Sequence, residues 1–145
     1  MTDVETTERS FHLRPARDVD RHAVFELIEY FVAQRSVLPR TLDELDELIP
    51  NAFVVLDGER VVGFAALEIY SKKLAEIRSL VVAVDMQGRG VGGMLVRACI
   101  ERARENNIFE VMAISSSESF FLSCGFDYTL PGEKKAFFLQ TRPHH

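Results

Sequence analysis

The chain has 145 residues, 47% of them hydrophobic and 27% charged, a balance that suits one compact globular domain over residues 1–145 and excludes global disorder. A formal net charge of −5 argues against a nucleic-acid partner, which asks for a basic face, and the longest apolar runs (80–84 and 136–139) are strand-sized, too short to cross a bilayer. Two cysteines, Cys99 and Cys124, form neither a disulfide framework nor a metal-ligand spacing, and His12 and His22 lack ligand-spaced partners, so no metal is expected.

Residues 1–10 open the chain with a polar, flexible stretch that lacks an apolar signal region, which makes a reducing cytoplasm the expected compartment. Residues 11–14 alternate apolar and polar before Pro15 and predict a first strand. Asp18 is placed to cap a helix whose Val24, Leu27, Ile28 and Phe31 share one face. After Pro39, Thr41-Leu42-Asp43-Glu44 has the form of a capping box, opening a short helix with Leu42, Leu45 and Ile49 on one side. Residues 53–56 and 61–70 are β-rich runs joined by the hairpin signal Asp57-Gly58-Glu59-Arg60, and a third run, 75–84, extends an antiparallel meander.

Gly90 or Val91 then begins a long helix reaching Asn107, with Leu95, Val96, Cys99, Ile100 and Ala103 as its apolar stripe. Residues 109–114 read as a strand, parallel to 75–84 because a strand and a helix precede it. Residues 118–123 make a short helix ended by Gly125, and 126–129 with 135–140 form a closing hairpin. His144 and His145 end the sequence, and residues 143–145 read either as native or as the remnant of a purification tag. The expected fold is α+β: a mixed sheet of six or seven strands flanked by about four helices.

The sharpest chemical signal lies between the 75–84 strand and the long helix, in Gln87-Gly88-Arg89-Gly90-Val91-Gly92-Gly93. A glycine-dense turn at a helix N-terminus offers free backbone N–H groups and partial positive charge to one anion, and Arg89 adds a cation. A bare strand-to-helix turn would not need four glycines in six positions. Gly88-x-Gly90-x-x-Gly93 also satisfies the dinucleotide fingerprint, but the next strand ends in Ile114-Ser115-Ser116 with no carboxylate for a ribose, and too little chain follows for a second βαβ half. No G-x-x-x-x-G-K-[ST] occurs either, which excludes a P-loop.

Gln87-Gly88-Arg89-Gly90-Val91-Gly92 resembles the Q/R-x-x-G-x-G/A motif of the GNAT acetyltransferases, whose backbone amides hold the pyrophosphate of coenzyme A. Leu13-Arg14-Pro15-Ala16 resembles that family's first strand, Asp57-Gly58 through Gly63-Phe64-Ala65 its next strand pair, and Phe120-Phe121-Leu122-Ser123-Cys124-Gly125-Phe126 its closing F-Y-x-x-x-G-F signature. Within the family, Val37-Leu38-Pro39-Arg40, Ala75-Glu76-Ile77 and Leu130-Pro131-Gly132-Glu133-Lys134-Lys135 are most similar to the acetyltransferase domain of N-acetylglutamate synthases. The resemblance implies an acyl-CoA-dependent N-acyltransferase that uses acetyl-CoA as co-substrate and a small-molecule amine as acceptor, glutamate first. Another amine (a polyamine, an aminoglycoside, a protein N-terminus) and a non-catalytic acyl-CoA-binding module are the alternatives. A homodimer is compatible with the sequence.

Site residues follow from the same resemblance. Leu80, Val81 and Val82, the glycine turn from Gln87 to Gly93, and Phe121 are expected to contact the cofactor, with a backbone N–H near Leu80 or Val81 polarising the acetyl carbonyl. Glu76 is the candidate general base, set by strand alternation on one face with Arg78, Leu80 and Val82; the other reading is a solvated carboxylate paired with Arg78. Phe121 stands where many relatives carry a tyrosine and cannot donate a proton, so Ser117 becomes the candidate acid, with a plain helix N-cap as its other reading and Tyr70 and Tyr128 in reserve. Arg40, Arg78 and Arg142 are the candidate acceptor-binding residues, because a guanidinium fork grips a carboxylate through two parallel bonds; solvated surface arginines are the alternative. Ser116 departs from the arginine expected beside Ser117, which leaves room for a different carboxylated amine.

Overall fold

The computed structural model describes residues 11–128 and 136–141, which fall into two compact units, one through Ile114 and one from Ser115. In the first unit five strands lie in the order of the chain: β1 (Phe11–Pro15), β2 (Ala52–Asp57), β3 (Arg60–Ile69), β4 (Leu74–Val82) and β5 (Glu110–Ala113). The first four pair antiparallel as a meander, and β5 runs parallel to β4, as the strand–helix–strand order predicts. Gly58, at φ 64°, supplies the left-handed residue that turns β2 into β3.

Two helices cover one face of the sheet. On α1 (Arg21–Ala33), Val24 and Ile28 are fully buried, and on α2 (Leu42–Leu48) so is Leu45; they pack with Val54, Phe64, Ala66 and Val81. Each such buried Val, Leu or Ile contributes about 1.5–3 kcal/mol relative to exposure. The capping box of α2 is present: Glu44 N–H donates to Thr41 Oγ1 at 3.1 Å, and Thr41 N–H to Glu44 Oε1 at 2.8 Å. Asp18 does not cap α1. It opens a short 3-10 turn, Asp18–Asp20, in which Asp20 is buried and takes two 2.8 Å bonds from Arg14 and one of 2.7 Å from the Arg17 N–H.

The opposite face is covered by α3 (Val91–Glu105), through Val91, Leu95, Val96, Cys99 and Ala103. Gly63 on β3 makes this approach possible, since a Cβ there would stand 2.8 Å from Val91 Cγ1 and 3.0 Å from Leu95 Cδ1. The glycine lets the start of α3 press on the sheet beside the end of β4. The helix stops at Glu105, two residues earlier than expected, because Asn107 turns left-handed at φ 55° and the Ile108 N–H reaches back to the Ala103 carbonyl at 2.9 Å.

In the second unit α4 (Glu118–Ser123) ends as expected at Gly125, φ 96°, with the Gly125 N–H on Leu122 O and the Phe126 N–H on Phe121 O, each at 3.0 Å. The expected sheet of six or seven strands is five among the described residues. Neither 126–128 nor 136–141 is strand, and the rest of that hairpin lies outside the described residues. β-propensity without a ladder partner does not make a strand.

Candidate active site

The site grows from an irregularity in β4. Ala66 pairs with Arg78 and Phe64 with Val81, so Ser79 and Leu80 together oppose Ala65. Ser79 accommodates the extra residue at φ 57°, in the left-handed region. Such a bulge frees a backbone N–H from the ladder and re-aims the residues beyond it. It also corrects the expected alternation: Val81, not Leu80 or Val82, continues the face that carries Glu76 and Arg78, because one inserted residue reverses the two-residue period.

Upstream of the bulge, Glu76 is 7% exposed and stands opposite Glu68 of β3 on one side and Met112 of β5 on the other. Two like charges in register would repel, and Arg78 relieves them: its Nη1 lies 2.8 Å from Glu68 Oε1 and 3.6 Å from Glu76 Oε1. Tyr70, at the end of the β3–β4 hairpin, donates its hydroxyl to Glu76 Oε1 at 2.6 Å and accepts from Arg78 Nη1 at 3.2 Å. Burial and the bond to Glu76 raise the Tyr70 pKa, with Arg78 acting the other way. Burial opposes the charge of Arg78, but Tyr70, Glu76 and Glu68 outweigh it and raise its pKa. Glu76 is therefore buried rather than solvated, while its expected pairing with Arg78 is present.

Arg40 comes to the same place from the loop before α2. Its Nε donates to Ser79 Oγ, in the bulge, at 3.1 Å. Burial and then the neighbouring Arg78 lower its pKa, against the attraction of Glu44, Glu68 and Glu76. Among the described residues it makes no ion pair, so a half-buried guanidinium faces this acidic cluster with both terminal nitrogens uncommitted. Arg142 lies outside the described residues.

Beyond β4 the chain makes a short 3-10 turn, Val84–Met86, and enters the glycine segment. The Gln87 side chain donates to the Val82 carbonyl at 3.0 Å, and Asp85 receives two 2.8 Å bonds from Arg60, which pin the turn to the start of β3. Gly88 and Gly90 have φ of 81° and 87°, a conformation that any Cβ would strain, and a Cβ at either would meet nothing within 4 Å. The first bond closing α3 runs from Met94 N–H to Gly90 O at 3.1 Å, so helix geometry leaves the Val91, Gly92 and Gly93 amides without helical acceptors. Arg89 is exposed beside them. An open cradle of amides, a helix N-terminus and an exposed cation fit the pyrophosphate of coenzyme A.

In the second unit Phe121 stacks edge-on between Phe120 and Phe126, with ring centroids 5.1 and 5.3 Å away. Ser117 precedes α4, but its hydroxyl makes no cap bond, and its N–H goes to Ser115 Oγ at 2.9 Å. Ser117 thus stands at the N-cap position of α4, as one of its two readings has it, without a side-chain cap bond. Tyr70 was placed in sequence only as a reserve acid, and Glu68 was not singled out. A hairpin centred on residue 72 pairs Glu68 with Glu76, so the register carried that signal.

Residues 19–126 match the family model described as the acetyltransferase (GNAT) family, and the chain belongs to that family. An uncharacterised N-acetyltransferase of Chlorobaculum tepidum is 31% identical over 114 residues, covering 79% of this chain and 74% of the relative. An amino-acid acetyltransferase of Mycobacterium tuberculosis is 30% identical over 127 residues, covering 83% and 72%. Among solved structures, Rv2747 from Mycobacterium tuberculosis in complex with CoA superimposes with a TM-score of 0.76 at 28% identity, covering 81% of this chain and 72% of that one. The α+β fold with its mixed sheet is the GNAT fold, and the protein is an acetyl-CoA-dependent N-acetyltransferase. Among the described residues no cluster could hold a metal ion, and no helix is long and apolar enough to cross a membrane.

Proposed function

We propose that this acetyltransferase acts on the α-amine of a small amino acid, glutamate being the first acceptor to test. The observation that carries the reading is the placing of a half-buried Arg40, without an ion pair among the described residues, together with the buried carboxylate of Glu76 around one bulge. An amino acid presents a carboxylate and an amine a few ångströms apart, and these two groups answer that pattern. The amino-acid acetyltransferase among the relatives supports it.

In this reading the amides of Gly88 to Gly93, with Arg89, hold the pyrophosphate, while Gln87 fixes the turn through the Val82 carbonyl. When bound, acetyl-CoA supplies an activated acetyl thioester. The N–H freed near Leu80 or Val81 polarises its carbonyl. Glu76 takes a proton from the acceptor's ammonium, which is mostly charged at neutral pH. The family resemblance assigns Ser117 as the proton donor to the departing thiolate, Phe121 as an apolar contact of the cofactor, and Arg142 as a further carboxylate-binding residue. Arg78, whose Nη1 is committed to Glu68 and Tyr70, contributes charge more than a two-pronged clamp.

Steady-state kinetics of Arg40→Ala test the reading. KM for a carboxylated amine should rise about tenfold or more with KM for acetyl-CoA little changed, and Arg40→Lys should rescue only in part. Wild-type behaviour of Arg40→Ala with every amino acid tried would remove the carboxylate subsite.

A further inference from the structure

We propose that Tyr70 is a positioning residue for Glu76, locked in its donor orientation by Arg78. A tyrosine hydroxyl has one proton and can send it either way. Here Arg78 Nη1 donates to the Tyr70 oxygen at 3.2 Å, and a guanidinium can only donate, so the hydroxyl proton must point to Glu76 Oε1, 2.6 Å away. Arg78 is itself fixed, because the second proton on Nη1 goes to Glu68 Oε1 at 2.8 Å. The order is therefore Glu68, Arg78, Tyr70, Glu76, with each group deciding the direction of the next. Among the described residues, the hydrogen bond and the ion pair to the Glu76 carboxylate both fall on Oε1, which leaves Oε2 as the oxygen that takes the acceptor's proton.

This arrangement does two things for a base. It removes the rotational freedom of a carboxylate that must meet an amine in one geometry, and it supplies a buried carboxylate oxygen with a hydrogen-bond donor. The charged groups facing Glu76 are Arg78 on its own strand, Glu68 on β3 and, at longer range, Arg40 from the loop; β5 presents the uncharged Met112. Of these groups and Tyr70, only Tyr70 makes a hydrogen bond to the carboxylate.

The role rests on Glu76 being the base, and the experiment separates the two claims. Initial rates are measured with acetyl-CoA and the fastest acceptor among the twenty amino acids for wild type, Tyr70→Phe, Glu76→Gln and the double variant. Tyr70→Phe should lower kcat about ten- to a hundredfold and leave KM for acetyl-CoA unchanged. In the Glu76→Gln background it should cost nothing further, since its effect passes through Glu76. A readout free of turnover accompanies this: in a protein labelled at tyrosine Cζ, the Tyr70 NMR signal should titrate at lower pH in Glu76→Gln than in wild type, because the carboxylate that raises it is gone. Tyr70 is 48% exposed, so the loss of its hydroxyl leaves folding intact, checked by thermal unfolding. A Tyr70→Phe variant with wild-type kcat beside a crippled Glu76→Gln overturns the positioning role alone. Losses that multiply in the double variant overturn it in favour of an independent role for Tyr70. An unimpaired Glu76→Gln removes the base and the positioning role together.

Discussion

Glu68 and Glu76 stand directly opposite each other on β3 and β4, and one nitrogen of Arg78 reaches both carboxylates, at 2.8 and 3.6 Å. The pair is tolerable only while that guanidinium is present. Arg78→Met keeps much of the side-chain bulk and removes the charge, so it should destabilise the fold by about 1–3 kcal/mol. Urea unfolding of both proteins checks this.

Glu76 should govern rate more than binding. Glu76→Gln should lower kcat by about 10²–10⁴ near neutral pH while acetyl-CoA affinity, measured by titration calorimetry, stays the same. At high pH, where the amine loses its proton unaided, the gap between variant and wild type should narrow. A small, pH-independent loss would return Glu76 to a structural acid.

Asp20 ties β1 to the start of α1. Burial works against its charge, but the bonds from Arg14 and the Arg17 N–H, together with their charges, more than offset this and hold its pKa below the ordinary 3.8. A depressed carboxylate contributes stability above its unfolded pKa and loses it as pH falls through the folded one. Asp20→Asn should therefore cost about 2–3 kcal/mol at neutral pH, and the difference from wild type should fade below about pH 3.8. Denaturation curves across that range decide it.

The glycine turn allows binding and folding effects to be told apart. Gly90 lies at φ 87°, so Gly90→Ala should cost about 1–2 kcal/mol of stability as well as coenzyme A affinity. Arg89 is exposed at the same turn, and Arg89→Ala should weaken acetyl-CoA binding by about three- to tenfold without changing stability. Equal affinity in a folded Arg89→Ala protein would take that cation out of the site.

The meander, the crossover into β5 and the glycine turn were legible because each is local: a two-residue hairpin, a 3.6-residue stripe on α3, glycines in a fixed order. The bulge was not, because Ser79 is an unremarkable residue for a strand and takes φ 57° only under the register that β3 imposes. That one inserted residue is also why Leu80 and Val82 were assigned to the wrong face. Arg40 was named from its motif, yet its bond to Ser79, 39 positions away, is a product of packing. Tyr70 escaped its role for a similar reason: its meaning lies in the direction of one proton, which depends on Arg78 and Glu68 together.

The central claim is that this chain acetylates the amine of a small amino acid, and an acceptor panel followed by free-thiol release tests it most directly. Wild-type protein is mixed with acetyl-CoA and, in turn, glutamate, glutamine, aspartate, alanine and spermidine, and each product is identified by mass. The account predicts thiol release matched by N-acetylation of a carboxylated amine, fastest with glutamate or a close analogue, and little with spermidine. Spermidine as the best acceptor, or no amino acid acetylated while acetyl-CoA binds, would contradict it.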